Sequence, residues 1–351
     1  MAGTVNIAGR EVGEGSSTYI VAELSANHNQ NFDQAVRILH AAQKAGADAV
    51  KLQTYTADTI TLRSDKECFR VSGGTLWDGR TLHDLYQEAF TPWEWQPKLK
   101  TIADELGMHL FSSAFDDTAV DFLEAMNVPV HKVASFELVD IGLIEKMART
   151  GKPLIMSTGM ATEDEISEAV DTAQNAGAAQ IALLKCTSAY PAPTEEANLL
   201  TIPEMARRFS CPVGLSDHTM GIALPVAAVA LGASIIEKHL CLTRADGGPD
   251  SAFSLEPDEF KAMVDAVRTA EKALGTIQFG CSPREVNSKK FRRSLFIVED
   301  IRKGESFTEQ NIRSIRPADG LPPRHLKEIL GKRASVDVRQ GTPLRWELVA
   351  K

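Results

Sequence analysis

The feature that most constrains the fold of this chain is a regular alternation of short β-rich runs with longer helical patterns. Glycines stand where the helices would end, before the next strand begins. Eight such units over roughly 250 residues match a (β/α)8 TIM barrel, an α/β fold, in number and length. A doubly wound open sheet is the alternative, but a dinucleotide-binding fingerprint is missing, and we predict the barrel. The predicted strands are Tyr19–Leu24, Ala49–Gln53, Met108–Ser113, Val130–Ser135, Pro153–Ser157, Ile181–Thr187, Pro212–Ser216 and Ser234–Leu240, and the clearest predicted helices are Phe32–Ala45, Thr162–Asn175 and Pro257–Leu274.

A polar stretch separates this barrel from a compact C-terminal segment. We assign residues 1–280 to the barrel, 281–292 to a linker and 293–351 to a small β-rich domain. Strands are predicted at Ser294–Val298 and Arg333–Val338, among turn glycines and proline-rich bends. Because a domain of this size has a small core, we expect it to lean on another protein surface.

Charge is divided unevenly between the two parts. The formal net charge of −9 argues against nucleic acids and anionic membranes as partners. From Arg284 to Lys351 there are 16 basic and 9 acidic residues, which leaves −16 for residues 1–283. Opposite charges favour docking of the C-terminal domain on a barrel, within or between chains, although two independently soluble parts are the alternative.

The chain has the features of a cytoplasmic protein. Apolar runs stay below the ~18 residues that a membrane span needs, and the N-terminus lacks the apolar centre of a secretory signal. The five cysteines are scattered and never spaced as CxxC, which speaks against a disulfide framework or a thiolate zinc site.

Polar and ionisable residues end every predicted barrel strand. The carboxyl ends of barrel strands surround one mouth, where such enzymes carry out catalysis. Eight polar ends on one rim therefore predict a polar ligand there. The residues are Glu23, Lys51, Gln53, Ser112, Ser113, Lys132, Ser135, Ser157, Lys185, Thr187, Ser216, Asp217, His218, Glu237 and His239.

Two histidines are the sharpest pair among them. His218 and His239 are 21 residues apart, about one βα unit, so they end adjacent strands. Glu237 and His239 face one side of their strand, and Lys238 faces the other. Two imidazoles with nearby carboxylates suit a divalent transition metal with open positions. The alternative is a pair of hydrogen-bonded core histidines.

Three lysines, Lys51, Lys132 and Lys185, lie on predicted strands and are costly to bury without anions. With the serines at the neighbouring strand ends, they favour a pocket for a small phosphate or carboxylate. Internal salt bridges are the alternative, and Lys185 could instead form a Schiff base with a carbonyl substrate. Lysines opposite Glu23 would keep it ionised, as suits a base or a group that orients water.

The connection from Thr54 to Thr91 is unusually long. It contains Trp77 and is followed by Trp93 and Trp95. Long loops in compact domains are often functional, and we interpret this one as part lid and part substrate wall. Aromatic residues that merely anchor an insertion to the barrel are the alternative.

Seven motifs follow one another along nearly the whole chain: Ala22–Asn29, Lys51–Thr56, His131–Glu137, Ser157–Thr162, Lys185–Pro193, Gly214–Thr219 and Glu237–His239. These motifs and their order resemble the sialic acid synthase family. The C-terminal domain resembles the antifreeze-like (SAF) domain of that family, and the segment Gly73–Arg80 with Thr91–Trp95 resembles the branch of the family that makes pseudaminic acid.

The resemblance implies condensation of phosphoenolpyruvate with an acetamido-sugar aldehyde, giving a nine-carbon 2-keto sugar acid and phosphate. The cofactor would be a divalent metal, usually Mn2+ with Mg2+ or Co2+ as alternatives, on His218 and His239. It also implies a homodimer whose SAF domain crosses to the partner barrel and brings Arg316 to the sugar. The implied catalytic residues are Glu23, Glu237 and Asp250; phosphoenolpyruvate would contact Lys51, Ser113, Lys132, Ser135, Ser157, Ser188, Tyr190 and Ser216; the sugar would contact Gln53, Trp77, Asp250 and Arg316.

Alternatives differ in substrate or in reaction class. Position 188 is Ser where sialic acid synthases often have Asn, so the sugar contacts there are open. For the pseudaminic acid branch the sugar would be 2,4-diacetamido-2,4,6-trideoxy-L-altrose, which is less polar than N-acetylmannosamine and would suit a pocket lined by Trp77, Trp93 and Trp95. N-acetylneuraminate and legionaminate synthases would use another sugar in the same chemistry. A metal-independent Schiff-base aldolase and a non-catalytic carbohydrate-binding scaffold are alternatives of other classes.

Overall fold

The computed structural model describes residues 3–350. The chain divides into two compact units, the first ending at Gly275 and the second beginning at Thr276. The domain limits predicted above, with a linker at 281–292, stay a prediction.

A short hairpin precedes the barrel. Its strands β1 (Thr4–Ile7) and β2 (Arg10–Gly13) pair antiparallel. Val5, Ile7 and Val12 are buried and belong to the same apolar core as the barrel. Sequence analysis did not predict this hairpin.

Eight parallel strands close into the predicted barrel, which is thereby confirmed. Closure occurs where the last strand pairs with the first, with His239 opposite Glu23. The strand limits differ from the prediction by no more than two residues at either end. The strands are β3 (Tyr19–Glu23), β4 (Ala49–Thr54), β5 (His109–Ala114), β6 (His131–Val133), β7 (Leu154–Ser157), β8 (Ile181–Cys186), β9 (Val213–Asp217) and β10 (Ile235–His239).

Helices on the outside of the barrel bury one apolar face each. Helix α1 buries Ile38, Leu39 and Ala42, and Gly46 ends it in a left-handed conformation, with φ 89°, that a glycine adopts without strain. The helices of this unit are α1 (Phe32–Ala45), α2 (Ala57–Ile60), α3 (Leu82–Ala89), α4 (Gln96–Glu105), α5 (Asp117–Ala125), α6 (Ile141–Arg149), α7 (Glu163–Asn175), α8 (Thr201–Phe209), α9 (Ala223–Ala230) and α10 (Pro257–Leu274).

The long connection after β4 contains two short helices, α2 and α3. Trp93 and Trp95, which follow this connection, pack against the barrel instead of lining the predicted sugar pocket. Trp93 donates from Nε1 to the Tyr55 carbonyl at 3.1 Å, and Trp95 packs against Phe32. Both contact the barrel core, as anchoring residues would.

The second unit has a small core of its own, which includes Phe307, Ile329 and Leu344. Its strands β11 (Ser294–Ile297) and β12 (Ile312–Ile315) pair antiparallel, and α11 spans Leu326–Ile329. The predicted strand at Arg333–Val338 is wrong. Residues 333, 334 and 338 each form a single bridge to a different segment, so no continuous ladder develops.

Within residues 3–350, we find no helix whose length and apolar character would let it cross a membrane. The cytoplasmic location inferred from the sequence stays a prediction.

Candidate active site

A buried charge cluster occupies the mouth of the barrel at the carboxyl ends of the strands. The Lys51 Nζ lies 2.5 Å from Glu23 Oε2 and 3.5 Å from Glu237 Oε1. It also donates to Ser113 Oγ at 3.3 Å, and Ser216 donates to Glu237 at 3.1 Å. Neighbouring strands in register bring these side chains together, because each lies at an inward position near its strand end.

The two carboxyl groups of this cluster differ in their affinity for a proton. Burial raises the pKa of Glu23 to about 7, although the positive charge of Lys51 opposes this shift. Burial also acts to raise the pKa of Glu237, but Lys51 and Lys132 outweigh it and hold that pKa below its usual value. Glu23 can therefore exchange a proton near neutral pH, while Glu237 stays ionised.

Glu23 is linked to Asp250 by a short hydrogen-bond chain. Gln53 Nε2 donates to Glu23 Oε1 at 3.2 Å and to Ser25 Oγ at 2.8 Å. Ser25 Oγ in turn donates to Asp250 Oδ2, and burial raises the pKa of this carboxyl. Gln53 and Asp250 thus lie beside the proposed proton-handling group.

A second cation and several hydroxyl groups line the neighbouring part of the mouth. Lys132 Nζ donates to Ser157 Oγ at 2.7 Å, and burial lowers the pKa of this lysine. The Gly159 amide donates to Ser135 Oγ at 3.1 Å. A Cβ at position 159 would lie 2.1 Å from Ser188 Oγ, so the absence of a side chain lets the two serines approach. An ammonium group among hydroxyls and an amide suits an anionic oxygen.

The two predicted imidazoles lie next to each other, with ring centroids 5.3 Å apart. His218 Nδ1 is 3.0 Å from the Thr187 carbonyl, which orients the ring and leaves Nε2 available. His239 Nδ1 is buried and has no hydrogen-bond partner in the described part of the chain. Burial lowers the pKa of His239 well below its usual value, which keeps this imidazole neutral, as a metal ligand requires.

An aromatic wall borders the imidazole pair. The Tyr190 ring lies 4.5 Å from His218 and 5.6 Å from Trp77, centroid to centroid. Trp77 is held in place by its Nε1, which donates to the Pro249 carbonyl at 2.9 Å. Phe253 packs behind, 4.9 Å from His239 and 5.2 Å from Tyr190. The mouth therefore has an apolar part beside the imidazole pair as well as a charged part, and Tyr190 belongs to the apolar part through its ring.

Most of the predicted site residues thus meet at one mouth, but Lys185 and Arg316 do not join the contacts described here. In β8, Cys186 aligns with the inward Ser216, so Lys185 takes the opposite face, and its Nζ donates to the Cys186 carbonyl at 2.9 Å. The prediction that Lys185 shares the cationic pocket is wrong for this reason. Arg316 lies in the second unit with an exposed side chain.

Sequence analysis assigned no role to Phe253 and Glu137. Phe253 is 1% exposed and contacts both imidazoles, and its position three residues after the predicted Asp250 was the available signal. The buried Glu137 Oε2 has no hydrogen-bond partner among residues 3–350, and burial raises its pKa to about 7. Glu137 closes the His131–Glu137 motif, which could have indicated it.

The donor set fits a single metal ion with few protein ligands. Among the described residues, no three His, Cys, Asp or Glu side chains form a metal site by themselves. The imidazole pair nevertheless offers two nitrogen donors, one of them an unpaired buried Nδ1, and leaves other positions to water or substrate oxygens.

Comparisons with known proteins assign the two parts of the chain. Residues 38–279 match the NeuB family, and residues 292–350 match the SAF domain. The chain is 48% identical to the pseudaminic acid synthase of Helicobacter pylori, over 93% of this chain and 96% of that protein. It is 46% identical to the pseudaminic acid synthase of Campylobacter jejuni, over 93% of this chain and 95% of that protein.

A solved structure with a similar fold is the N-acetylneuraminic acid synthetase of Leptospira borgpetersenii in complex with citrate. The two chains superpose with a TM-score of 0.73 at 28% identity, over 82% of this chain and 95% of that chain.

Proposed function

Because the chain belongs to the NeuB family, we propose that it condenses phosphoenolpyruvate with 2,4-diacetamido-2,4,6-trideoxy-L-altrose, giving pseudaminic acid and phosphate. The observation that carries this proposal is the mouth itself, where a Glu23–Lys51–Glu237 cluster lies beside a lysine–serine pocket and an imidazole pair. The high identity to pseudaminic acid synthases supports the choice of sugar.

Phosphoenolpyruvate would bind on the charged side of the mouth. Lys132 and Ser157, with Ser135 and Ser188 around Gly159, offer one ammonium group and three hydroxyls to its phosphate and carboxylate. Before the substrate binds, the positive charge of Lys51 is compensated by the Glu23 carboxylate beside it. Tyr190, Ser113 and Ser216 complete this group of proposed contacts.

The reaction would form one carbon–carbon bond and break one carbon–oxygen bond. The enol carbon of phosphoenolpyruvate attacks the sugar aldehyde, whose oxygen takes up a proton to become a hydroxyl group. Water adds to the resulting cationic carbon and gives one proton to Glu23. The new hydroxyl group then loses its remaining proton and becomes the 2-keto group as phosphate leaves with the electrons of its C–O bond, so the two protons released by water balance the one taken up by the aldehyde oxygen and the one carried away by phosphate or solvent. A divalent metal on His218 and His239, Mn2+ by family resemblance, would supply Lewis acidity to the aldehyde.

The aromatic wall supports a sugar that is less polar than N-acetylmannosamine. Relative to N-acetylmannosamine, this sugar has a methyl group in place of the C6 hydroxymethyl group and a second acetamido group in place of the C4 hydroxyl. Trp77 and Tyr190 offer apolar ring surface of this kind at the rim of the mouth. Gln53 and Asp250 would bind the polar hydroxyl groups of the sugar.

We also propose the homodimer that the family resemblance implies, with Arg316 of one copy serving the barrel of the other. The basic C-terminal part and the acidic remainder of the chain support attraction between copies.

The test is phosphate release from phosphoenolpyruvate by purified protein with Mn2+. Parallel reactions contain the L-altro sugar, its D-manno counterpart, which is the legionaminate precursor, or N-acetylmannosamine, each with and without chelator. Chelator-sensitive release with the L-altro sugar is expected. Release with another sugar instead would keep the chemistry and move the substrate to legionaminate or N-acetylneuraminate synthesis. Chelator-resistant turnover with borohydride trapping of a lysine would favour a Schiff-base aldolase, which the outward position of Lys185 argues against.

A further inference from the structure

A buried ion pair lies on the outer face of the barrel wall, behind the imidazole pair. Lys238 is 0% exposed, and its Nζ lies 2.6 Å from Asp217 Oδ2. It stands between Glu237 and His239 in β10 and faces away from the mouth. A lone buried ammonium group is costly, so the Asp217 carboxylate beside it compensates the Lys238 charge.

The same pair is tied into the backbone on either side of His218. Asp217 Oδ1 accepts from the Thr219 amide at 3.0 Å and from Thr219 Oγ1 at 2.8 Å. Lys238 Nζ also donates to the Thr219 carbonyl. Lys238 therefore contacts both Asp217 and Thr219, the residues before and after His218. Since Lys238 is also the residue before His239, it connects the backbone segments that carry the two imidazoles.

The contacts of Lys238 and Asp217 lie at the point where the hydrogen-bonded pairing of β9 with β10 ends. The pairing of β9 with β10 ends at Asp217 and Lys238, so His218 lies one residue beyond the last paired position of its strand. Without a ladder at this point, the Lys238 side chain joins the turn at residues 217–219 to β10. Buried polar networks with every member satisfied make a local structure rigid.

We propose that Lys238 and Asp217 are positioning residues that set the distance between the two imidazoles and thereby the affinity for the metal. This inference rests on the proposed function, since it assumes a metal on His218 and His239. Groups that orient metal ligands typically change metal affinity by about 10- to 100-fold when they are replaced.

The experiment measures Mn2+ binding to the full-length protein by the electron paramagnetic resonance signal of free Mn2+. The variants are Lys238→Met, Asp217→Asn and the double variant that carries both. We expect Mn2+ to bind at least about tenfold more weakly to all three. The KM for phosphoenolpyruvate should stay within about twofold of wild type, because its proposed ligands Lys51 and Lys132 are unchanged.

The double variant distinguishes positioning from fold stability. Each single variant leaves one buried charge or dipole without its partner, whereas the double variant leaves no unpaired charge, so its unfolding temperature should recover toward wild type. If its Mn2+ affinity recovers in parallel, the pair only stabilises the fold and the positioning role is overturned.

A matched control replaces a lysine of an exposed pair. Lys146 Nζ lies 2.9 Å from Asp121 on the outer helices, and Lys146→Met should bind Mn2+ like wild type. Wild-type protein that binds no Mn2+ would overturn the metal proposal and this inference together. Wild-type binding with an unaffected double variant would overturn the inference alone.

Discussion

The most specific prediction concerns Gly159, which lies beside the proposed phosphoenolpyruvate pocket. A methyl group at this position would meet Ser188 Oγ at 2.1 Å and Ser135 Oγ at 2.7 Å, both shorter than any stable contact. The backbone of Gly159 is outside the left-handed region, so an alanine strains no torsion there. Gly159→Ala therefore acts through the two serines: both hydroxyl groups must turn away, and Ser135 Cβ, 3.0 Å from the added methyl group, must shift by a few tenths of an ångström.

The size of the effect follows from these contacts. A hydrogen bond to a charged group contributes about 1.5–3 kcal/mol, so losing one should weaken phosphoenolpyruvate binding roughly 10- to 100-fold. The fold should lose much less, because turning a serine out of its preferred rotamer costs about 0.5–1.5 kcal/mol. That corresponds to a fall in Tm of only a few degrees for a barrel of this size, at about 2–4 °C per kcal/mol.

The assay is calorimetric titration of phosphoenolpyruvate, followed by steady-state phosphate release and thermal unfolding. Gly142→Ala in α6 is the matched control, since its Cβ would lie 3.7 Å from Asp140 Oδ1, an ordinary contact that involves neither serine. The control should keep wild-type affinity. A wild-type Kd for phosphoenolpyruvate in Gly159→Ala, or a loss confined to the KM for the sugar, would refute the placement of phosphoenolpyruvate against Ser135 and Ser188.

Further predictions test the other parts of the mouth. Glu23→Gln should lower kcat by about 10²- to 10⁴-fold and retain phosphoenolpyruvate binding, because general-base catalysis contributes that much; simultaneous loss of binding would contradict a proton-handling role. Since burial raises the pKa of Glu23 to about 7 and its carboxylate is the reactive form, wild-type kcat/KM should fall as pH drops from 8 to 6, a limb that Glu23→Gln should lack. His239→Ala should abolish Mn2+ binding measured by calorimetry, and undiminished binding would exclude it as a ligand. Trp77→Ala should raise the KM for the sugar about tenfold at constant Kd for phosphoenolpyruvate, and the reverse pattern would remove Trp77 from the sugar site. Arg316→Ala and His218→Ala proteins should each be inactive, and mixing them should restore activity once dimers exchange subunits, because the barrel with intact His218 then receives the intact arginine of the other subunit. A mixture that stays inactive after subunit exchange would argue against the crossed arrangement.

Local sequence was sufficient to predict much of the barrel. Helix α1 begins and ends at the predicted residues, since an apolar face of helical period, a capping Asn31 and the terminal Gly46 all lie within the segment itself. The inward direction of Glu237 and His239 followed from alternation along one strand. Features that depend on neighbouring residues in the chain could therefore be read directly.

Features that depend on pairing between distant segments could not be predicted from the local sequence. Arg333–Val338 has the composition of a strand, but each of its bridges goes to a different segment, which composition does not record. Nothing in the local sequence distinguishes Trp77 from Trp93 and Trp95. The packing of the insertion places Trp77 at the mouth and the other two against the barrel core.

The ionisable residues at the strand ends were visible in the sequence, because polar groups at the ends of apolar strands break the pattern of a buried sheet. Which of them meet was decided by the closed barrel. Register across eight strands brings Lys51 between Glu23 and Glu237, turns Lys185 to the other face, and joins Lys238 to Asp217 behind the imidazoles. Alternation fixes the direction of a side chain relative to its own strand, but distances between strands follow from ring closure, which is a property of the whole domain.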